Sequence, residues 1–244
     1  RLVRMTAFAS RCFKEIIRDP LNLILGGGLP LLILVMFSLF DIPAEVYNIS
    51  NFAPAIIIFG FAFLTSAMSI LVAKDRSGAF LPRLFSSPLR PWDYILGYCL
   101  PMLPVALLQY VLFIAAALIM GLACSIGRIL LTRGVLLPSA ALFIAVGLLF
   151  GTVFRDKSLG GPFTLFINLS TWLSGTWFDL SAVGGWFKTI GSVLPFVHCV
   201  NSARAALTGD LSDVLPQLIW VVLWTAAIFI AAAAIFQRKM RSGK

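Results

Sequence analysis

Residues of the types that usually carry out chemistry are scarce in this sequence. It has a single histidine, His198, and four cysteines without C-x-x-C spacing: Cys12, Cys99, Cys124 and Cys199. A tetrahedral metal site needs several such ligands close together, so we expect no metal site. We expect the cysteines to serve as buried apolar side chains. A disulfide between Cys124 and Cys199, both predicted on the outer side, stays open.

Motifs that would give the chain its own catalysis are also absent. The sequence has no G-x-x-x-x-G-K-[ST] phosphate loop and no G-x-S-x-G element to pair with the one histidine. We therefore expect no catalytic residues and no cofactor on this chain, which makes an intramembrane enzyme the weakest alternative. The triplet Gly26-Gly27-Gly28 instead favours close approach between helices.

The composition is typical of a membrane protein. Of the 244 residues, 60% are apolar and only 12% charged, whereas a soluble domain carries roughly 25% charged residues. Six uncharged stretches are long enough to cross a bilayer, at 20–40, 50–73, 94–127, 134–154, 158–178 and 214–237. We predict one all-α transmembrane domain over 1–244 with six spans. Because the spans carry no charge, an ion-coupled carrier is disfavoured.

The distribution of basic residues predicts the orientation. Six spans place both termini on one side, and that side receives 15 of the 19 Lys and Arg residues. Lys and Arg close to span ends stay in the cytoplasm, so we expect both termini there and an inner-membrane location. The net charge of +9 then reflects topology, and we expect no nucleic-acid partner.

The N-terminal segment 1–19 is predicted to be an amphipathic helix. Its charged residues Arg4, Arg11, Lys14, Glu15 and Arg18 share one face, and apolar residues occupy the other. Such a helix should lie on the membrane surface with its apolar face in lipid. Asp19-Pro20 should end it.

Two connecting segments are unusual. The cytoplasmic loop 74–93 begins with Asp75 and Arg76 and holds an apolar group at its tip, comprising Phe80, Leu81, Leu84 and Phe85 beside Arg83. A short apolar helix there lies in the membrane interface or docks in the groove of a partner. The outer segment 179–213 contains two apolar pieces that are too short to span, and we read them as re-entrant or interfacial helices.

Taken together, these features resemble the permease subunits of ABC-2 type ATP-binding cassette exporters, in the drug-export branch. The resemblance rests on Arg18-Asp19-Pro20, on the loop from Asp75-Arg76 to Ser87-Pro88, and on Pro195, His198 and Arg204 before the last span. Ala79 and Pro82 depart from the family pattern.

The resemblance implies an exporter half. Two permease chains, identical or different, would pair through the first and fifth spans. Each would dock a cytoplasmic ATPase subunit that holds ATP and Mg²⁺. Phe80, Leu81, Arg83, Leu84 and Phe85 would form the coupling helix, with Asp75 and Arg76 at its base, and the N-terminal helix would contact the same ATPase. The cargo would be an amphipathic compound. A lipid-linked glycan and a stand-alone carrier or channel are the alternatives.

Overall fold

The computed structural model describes the backbone of residues 2–40, 45–78 and 91–242, and the side chains of 5–40, 45–78 and 92–239. Within these ranges the chain is helical and contains no strand. In chain order the helices are α1 (Leu2–Ile17), α2 (Pro20–Leu39), α3 (Ile49–Ser77), α4 (Pro91–Cys99), α5 (Met102–Ile119), α6 (Ile126–Val153), α7 (Gly160–Trp172), α8 (Leu180–Val183), α9 (Gly185–Val193), α10 (Pro195–Thr208) and α11 (Leu211–Ser242).

Among the described residues, five helical segments are long and apolar enough to cross a membrane. They are Pro20–Leu39, Ile49–Ser77, Trp92–Ile119, Ile126–Val153 and Leu211–Lys239. The multi-pass character expected from composition is therefore confirmed. The stretch 158–178 differs from the prediction, because its helix α7 has 13 residues. At ~1.5 Å per residue α7 is roughly 20 Å long, short of the ~30 Å hydrocarbon core.

The end of α7 has a local cause. After Trp172 the chain turns, and Gly175 has a positive φ of 71°. Glycine adopts this conformation without steric cost, and it is incompatible with continuing a right-handed helix. Counting uncharged residues could not show this interruption, since Gly175 is itself uncharged.

Two helices extend beyond the ends of the uncharged stretches that were used to predict them. Residues 74–77, predicted as the start of a loop, form the last turn of α3, and α6 begins at Ile126 and includes Arg128 and Arg133. Charged side chains at the end of a spanning helix reach polar surroundings without interrupting its backbone hydrogen bonds. The predicted third span is instead divided at Pro101 into α4 and α5.

The connector 179–213 forms α8, α9, α10 and the first residues of α11. Two short apolar pieces separated at Lys188 were predicted; instead Lys188 lies inside α9, and the breaks fall at Gly184 and Leu194. Asp179 begins α8 by accepting a 2.8 Å hydrogen bond from the Ser181 N–H, which satisfies one of the free amides of the first turn. Pro195 starts α10, where its missing N–H costs nothing, and Gly209 ends it in the left-handed conformation.

The core of the bundle is the contact between α3 and α6. A Cβ added at Gly147 would lie 2.6 Å from Met68 Cβ, and one at Gly151 would lie 2.6 Å from the Ser69 carbonyl oxygen. Glycines four residues apart occupy one face of a helix, so α6 presents a smooth strip on which α3 packs. Around it, α3 is buried along nearly its whole length.

The glycine triplet of α2 makes its close approach inside this chain. Residues Ile24–Gly28 form a π-helical turn, and Gly26 is buried there. Gln109 of α5 donates from Nε2 to the Gly26 carbonyl at 2.9 Å and reaches the Gly60 carbonyl at 3.4 Å. A π turn leaves a backbone carbonyl outside the regular pattern, and the Gln109 amide supplies its donor.

The packing at Gly151 gives a first prediction. Gly151→Ala should lower the free energy of unfolding by about 1–3 kcal/mol, because the new methyl group meets backbone that cannot yield. Gly134→Ala on the same helix is the control, since nothing lies within 4 Å of its Cβ position. Thermal unfolding of the purified chain in detergent measures both. Equal effects of the two substitutions would contradict the assigned packing.

Candidate coupling site at the basic end

The two ends of the bundle differ in charge. Arg11, Arg76, Arg155 and Lys239 lie at one end, together with the last turn of α3, the start of α4 and the end of α6. We call this the basic end. The opposite end holds the start of α3 and the connector helices α8 to α10, because Arg204 of α10 bonds to Asn51.

The centre of the basic end is the carboxylate of Asp75, which is only 4% exposed. Arg11 of α1 binds it through both guanidinium branches, with Nη1 donating to Oδ2 at 2.8 Å and Nη2 to Oδ1 at 2.7 Å. The hydroxyl of Tyr98 in α4 donates to Oδ2 at 3.0 Å. A buried carboxylate is tolerated only when it is paired and hydrogen-bonded, so these three side chains depend on one another.

Further charges surround this group. Arg11 Nη2 also donates to Glu15 Oε2 at 2.9 Å, and Lys74 Nζ lies 3.3 Å from Glu15 Oε1. The hydrogen bond to Asp75, with the negative charges of Asp75 and Glu15, raises the pKa of Arg11 above its usual value despite partial burial. Arg11 therefore stays charged at every pH at which the protein is folded.

Aromatic packing also holds α1 against α4. The Phe8 ring, 7% exposed, meets Tyr94 and Tyr98 edge-on, with centroids 5.9 and 4.9 Å away. Gly97 lies directly beneath this ring, and a Cβ there would collide with it. Phe8, Tyr98 and Gly97 thus form a socket whose edge-to-face geometry is favourable for aromatic pairs.

We refer to Phe8, Arg11, Asp75 and Tyr98 as the α1 clamp. α3 ends at Ser77 and α4 begins at Pro91, so the two helices flank the segment 79–90 on either side. Through Asp75 and Tyr98 the clamp holds both flanking helices. The clamp therefore joins α1 to the two helices that lead into and out of this segment.

One expectation about α1 is wrong. Its apolar face was predicted to lie in lipid, but Phe8, Cys12 and Ile16 are buried within the protein. The reason is that α4 offers an aromatic socket that lipid does not. Burial also raises the pKa of the Cys12 thiol to about 12, so it remains a neutral, apolar contact. The helix itself and its end before Pro20 are confirmed.

The other predicted site residues of the basic end fall into three groups. Lys14 and Arg18 are exposed and make no ion pair in the described parts of the chain. Arg76 points away from the clamp and donates to the Phe154 carbonyl at the end of α6 at 2.6 Å. The predicted loop residues Phe80, Leu81, Arg83, Leu84 and Phe85 lie outside the described residues.

At the opposite end, Arg204 ties three elements together. Its Nε donates to the Asn51 carbonyl at 3.0 Å and its Nη2 to the Gly175 carbonyl at 3.1 Å. Burial lowers the pKa of Arg204, and Asp179 partly offsets this. The guanidinium therefore bridges the turn after α7 to the first turn of α3, a structural role that its spacing from Pro195 did not indicate.

His198 has a similar local role. Its Nε2 donates to the Ser192 carbonyl at 2.8 Å, and its Nδ1 pairs with the side chain of Gln217 in α11. A cavity of about 400 Å³ adjoins it, with Glu45, Asp179, Lys188 and Arg204 on its walls. Two acidic and two basic side chains leave this cavity without a dominant charge.

The sequence did not reveal Tyr98, Phe8 or the role of Gly97. Tyr94 and Tyr98 are four residues apart and so share one face of α4, which is the signal that was available. The described residues contain no cluster of His, Cys, Asp and Glu able to hold a metal ion, and the four cysteines are free.

Comparison with known proteins decides the family. The model of the ABC-2 type transporter family matches residues 4–208, from the first turn of α1 to the end of α10. The chain belongs to this family. It is thus the membrane-spanning component of an ABC transporter, and the matched region includes both the α1 clamp and Arg204.

One curated relative of this ABC-2 chain is ABC transporter G family member 20 of Dictyostelium discoideum. The two are 26% identical over 194 residues, which is 76% of this chain and 26% of the relative. The chain therefore spans about a quarter of the length of that protein.

The clamp gives a second prediction. Asp75→Ala should cost about 2–3 kcal/mol of unfolding free energy, less than for a fully buried pair because the Arg11 side chain is 35% exposed. In a double-mutant cycle, Arg11→Ala and Asp75→Ala should couple by about 1–2 kcal/mol. Arg18→Ala is the control partner and should show no coupling to Asp75. Equal coupling for the two arginines would refute a specific clamp.

Proposed function

We propose that this chain is the permease half of an ABC exporter that moves an amphipathic compound across or out of the membrane, using ATP hydrolysed by a partner ATPase. The observation that carries the proposal is the α1 clamp. It joins an amphipathic helix to both helices that flank the segment 79–90. A membrane subunit that is moved by a partner outside the membrane needs a rigidly connected group of helices where that partner binds.

The contact itself is assigned to the segment 79–90. In this proposal Phe80, Leu81, Leu84 and Phe85 form the apolar face of a short coupling helix that inserts into the ATPase, and Arg83 flanks that face. Asp75 and Arg76 anchor its base to α1 and α6 respectively. The exposed cations Lys14 and Arg18 of α1 face the same partner. The basic end is then cytoplasmic, in agreement with the excess of Lys and Arg there.

A second permease chain, identical or different, completes the transporter in this proposal. Its contact surface would be formed by α2 and α7, which expose large apolar side chains along their lengths. Those of α2 include Leu21, Ile24, Leu32 and Leu39, and those of α7 include Leu165 and Leu169. Either lipid or a partner helix must cover this surface. With α7 entering the bilayer as a short sixth span and α8 to α10 re-entering from the outside, the six-span arrangement of an exporter half is complete.

The transport step follows from the stiffness of the clamped unit. ATP and Mg²⁺ bound by the partner close its ATPase subunits, and the coupling helix moves with them. Because α1, α3 and α4 are joined through Asp75, they shift as one body against the second chain. The surfaces of the two chains that move apart in this step are apolar and aromatic. Such surfaces suit an amphipathic cargo better than a highly charged one.

The third prediction concerns the coupling helix. Leu84→Asp with Phe85→Asp should abolish co-purification of the ATPase, since burying each original side chain contributes roughly 1.5–3 kcal/mol to docking. The matched control is Val183→Asp with Trp186→Asp, a second apolar pair, 56% and 74% exposed at the opposite end. The control pair should leave co-purification intact. If the first variant retains the ATPase, the proposed coupling role is wrong.

The fourth prediction concerns the cargo. In the reconstituted complex, amphipathic drug-like compounds should stimulate ATP hydrolysis several-fold, and lipid-linked glycans should not. The rate is measured on the same vesicles with and without each compound. Stimulation by the glycans alone would replace the cargo assignment while leaving the exporter role in place. Solute movement by the purified chain without any ATPase would instead identify a stand-alone carrier.

A further inference from the structure

The cavity beside His198, at the end opposite the basic end, has walls of mixed charge. Its volume of about 400 Å³ is within the range of pockets that hold small molecules. The charged residues on its walls are two acids and two bases: Glu45, Asp179, Lys188 and Arg204. They lie before α3, before α8, in α9 and in α10 respectively. Four separate parts of the chain therefore bring opposite charges to one space.

These charges do not neutralise one another by direct contact. Among the described residues, no ion pair joins either carboxylate to either cation. Hydrogen bonding from Ser181, together with the charges of Arg204 and Lys188, lowers the pKa of Asp179, so its carboxylate is ionised at neutral pH. The cavity therefore presents charged groups of both signs with space between them.

Polar groups on the walls also have unused hydrogen-bonding capacity. Arg204 uses Nε and Nη2 for backbone carbonyls, and its Nη1 bonds to none of the described residues. The Gln217 amide bonds only to His198, through its oxygen, and the side chain of Asn201 makes no hydrogen bond within the described chain. All three side chains line the cavity, and none of these free atoms is covered by protein. They are therefore accessible to a ligand.

Walls of both signs favour a ligand that is itself a zwitterion. A ligand with a single charge would meet like charges on half of the charged walls, which costs binding free energy. The described lining residues include no Phe, Tyr or Trp, whereas quaternary ammonium groups are usually bound by aromatic faces. A primary ammonium, which has N–H groups to donate to carboxylates, is therefore the better match for the cationic part.

The position of the cavity indicates what the anionic part is. Asn51, in the first turn of α3, and Gln217, near the start of α11, are both on its walls. Both helices are long and apolar enough to span a membrane. Lipid headgroups occupy the level at which such helices leave the hydrocarbon core, and the acid group at that level is a phosphate.

We propose that this cavity binds a phosphoethanolamine group, with its phosphate between Lys188 and Arg204 and its ammonium between Glu45 and Asp179. Charge-assisted hydrogen bonds then satisfy both cations and both carboxylates. The group occurs on the lipid phosphatidylethanolamine and on its water-soluble fragment glycerophosphoethanolamine. Both sources offer the same chemistry to the cavity.

This proposal does not depend on the exporter assignment. It requires only that the chain is a membrane protein, as its family membership shows. The experiment therefore uses the full chain alone, so that neither an ATPase nor a transport step contributes to the result.

The test is thermal unfolding of the purified chain in detergent, titrated with phosphatidylethanolamine. The unfolding midpoint should rise at concentrations where phosphatidylcholine and phosphatidylglycerol have no effect, since the first lacks N–H donors on its cation and the second lacks a cation. Glycerophosphoethanolamine is titrated in the same way. A rise with both compounds supports the proposal for either source, and a rise with the lipid alone supports it for the lipid. A response to neither overturns it.

Two substitutions each remove one charge from the cavity and keep the local structure. Lys188→Gln removes an exposed cation whose side chain bonds to none of the described residues. Asp179→Asn removes a negative charge, while the asparagine oxygen still accepts from the Ser181 N–H. Each variant should require about tenfold more phosphatidylethanolamine for the same rise, as expected for the loss of one charged contact.

Matched controls make the same two changes elsewhere at this end. Arg133→Gln removes an exposed cation of α6, and Asp210→Asn removes an exposed carboxylate that accepts a hydrogen bond from the Ser212 hydroxyl. Neither residue lines the cavity, so both controls should leave the response unchanged. Equal stabilisation by phosphatidylcholine or phosphatidylglycerol, an unchanged response in Lys188→Gln or Asp179→Asn, or an equal loss in the controls would each overturn the proposal.

Discussion

The carboxylate of Asp75 is the constraint on which the basic end depends. A buried negative charge in a bundle this apolar is stable only while both of its donors are in place. Those donors, Arg11 and Tyr98, belong to two other helices. No two of the three helices can separate without exposing an unpaired charge to an apolar surround. Asp75 therefore adds an electrostatic link among α1, α3 and α4 to the aromatic contacts that Phe8 makes with α4.

The long helix α3 extends from this link to the opposite end. Its 29 residues span roughly 43 Å at ~1.5 Å each. Near its start, the Asn51 carbonyl accepts a hydrogen bond from Arg204, and along its middle it packs on the glycine strip of α6. At Gly147 and Gly151 the helices are so close that an added Cβ would lie 2.6 Å from atoms of α3, so this contact leaves no free space between them. α3 thus connects the Asp75 end of the bundle to the Arg204 end.

How much of this was accessible from the sequence depends on the range of the interactions. Local patterns of charge and hydropathy were enough to predict most helices, their approximate limits and the amphipathic character of α1. The end of α7 could not be predicted in this way, because Gly175 interrupts the helix through its backbone conformation and leaves the hydropathy unchanged. The pairing of Arg11 with Asp75 could not be predicted either, because 64 residues separate them. Nothing in the sequence indicates which acidic residue a given arginine will bind. The packing of α1 against α4 could be seen only in the structure, where the Phe8 ring lies directly over Gly97.

The basic residues of this chain also have more than one task. An excess of Lys and Arg on one side is sufficient to orient the spans, and none of those residues then needs a specific partner. Yet Arg11 holds a buried acid, and Arg76 and Lys239 hold the final carbonyls of α6. Lys14 and Arg18, exposed and without ion pairs in the described chain, are left to act through orientation or through partners. The basic residues that were expected to set the orientation are therefore distributed among distinct structural contacts, and replacing them one by one should separate the effects of the individual residues.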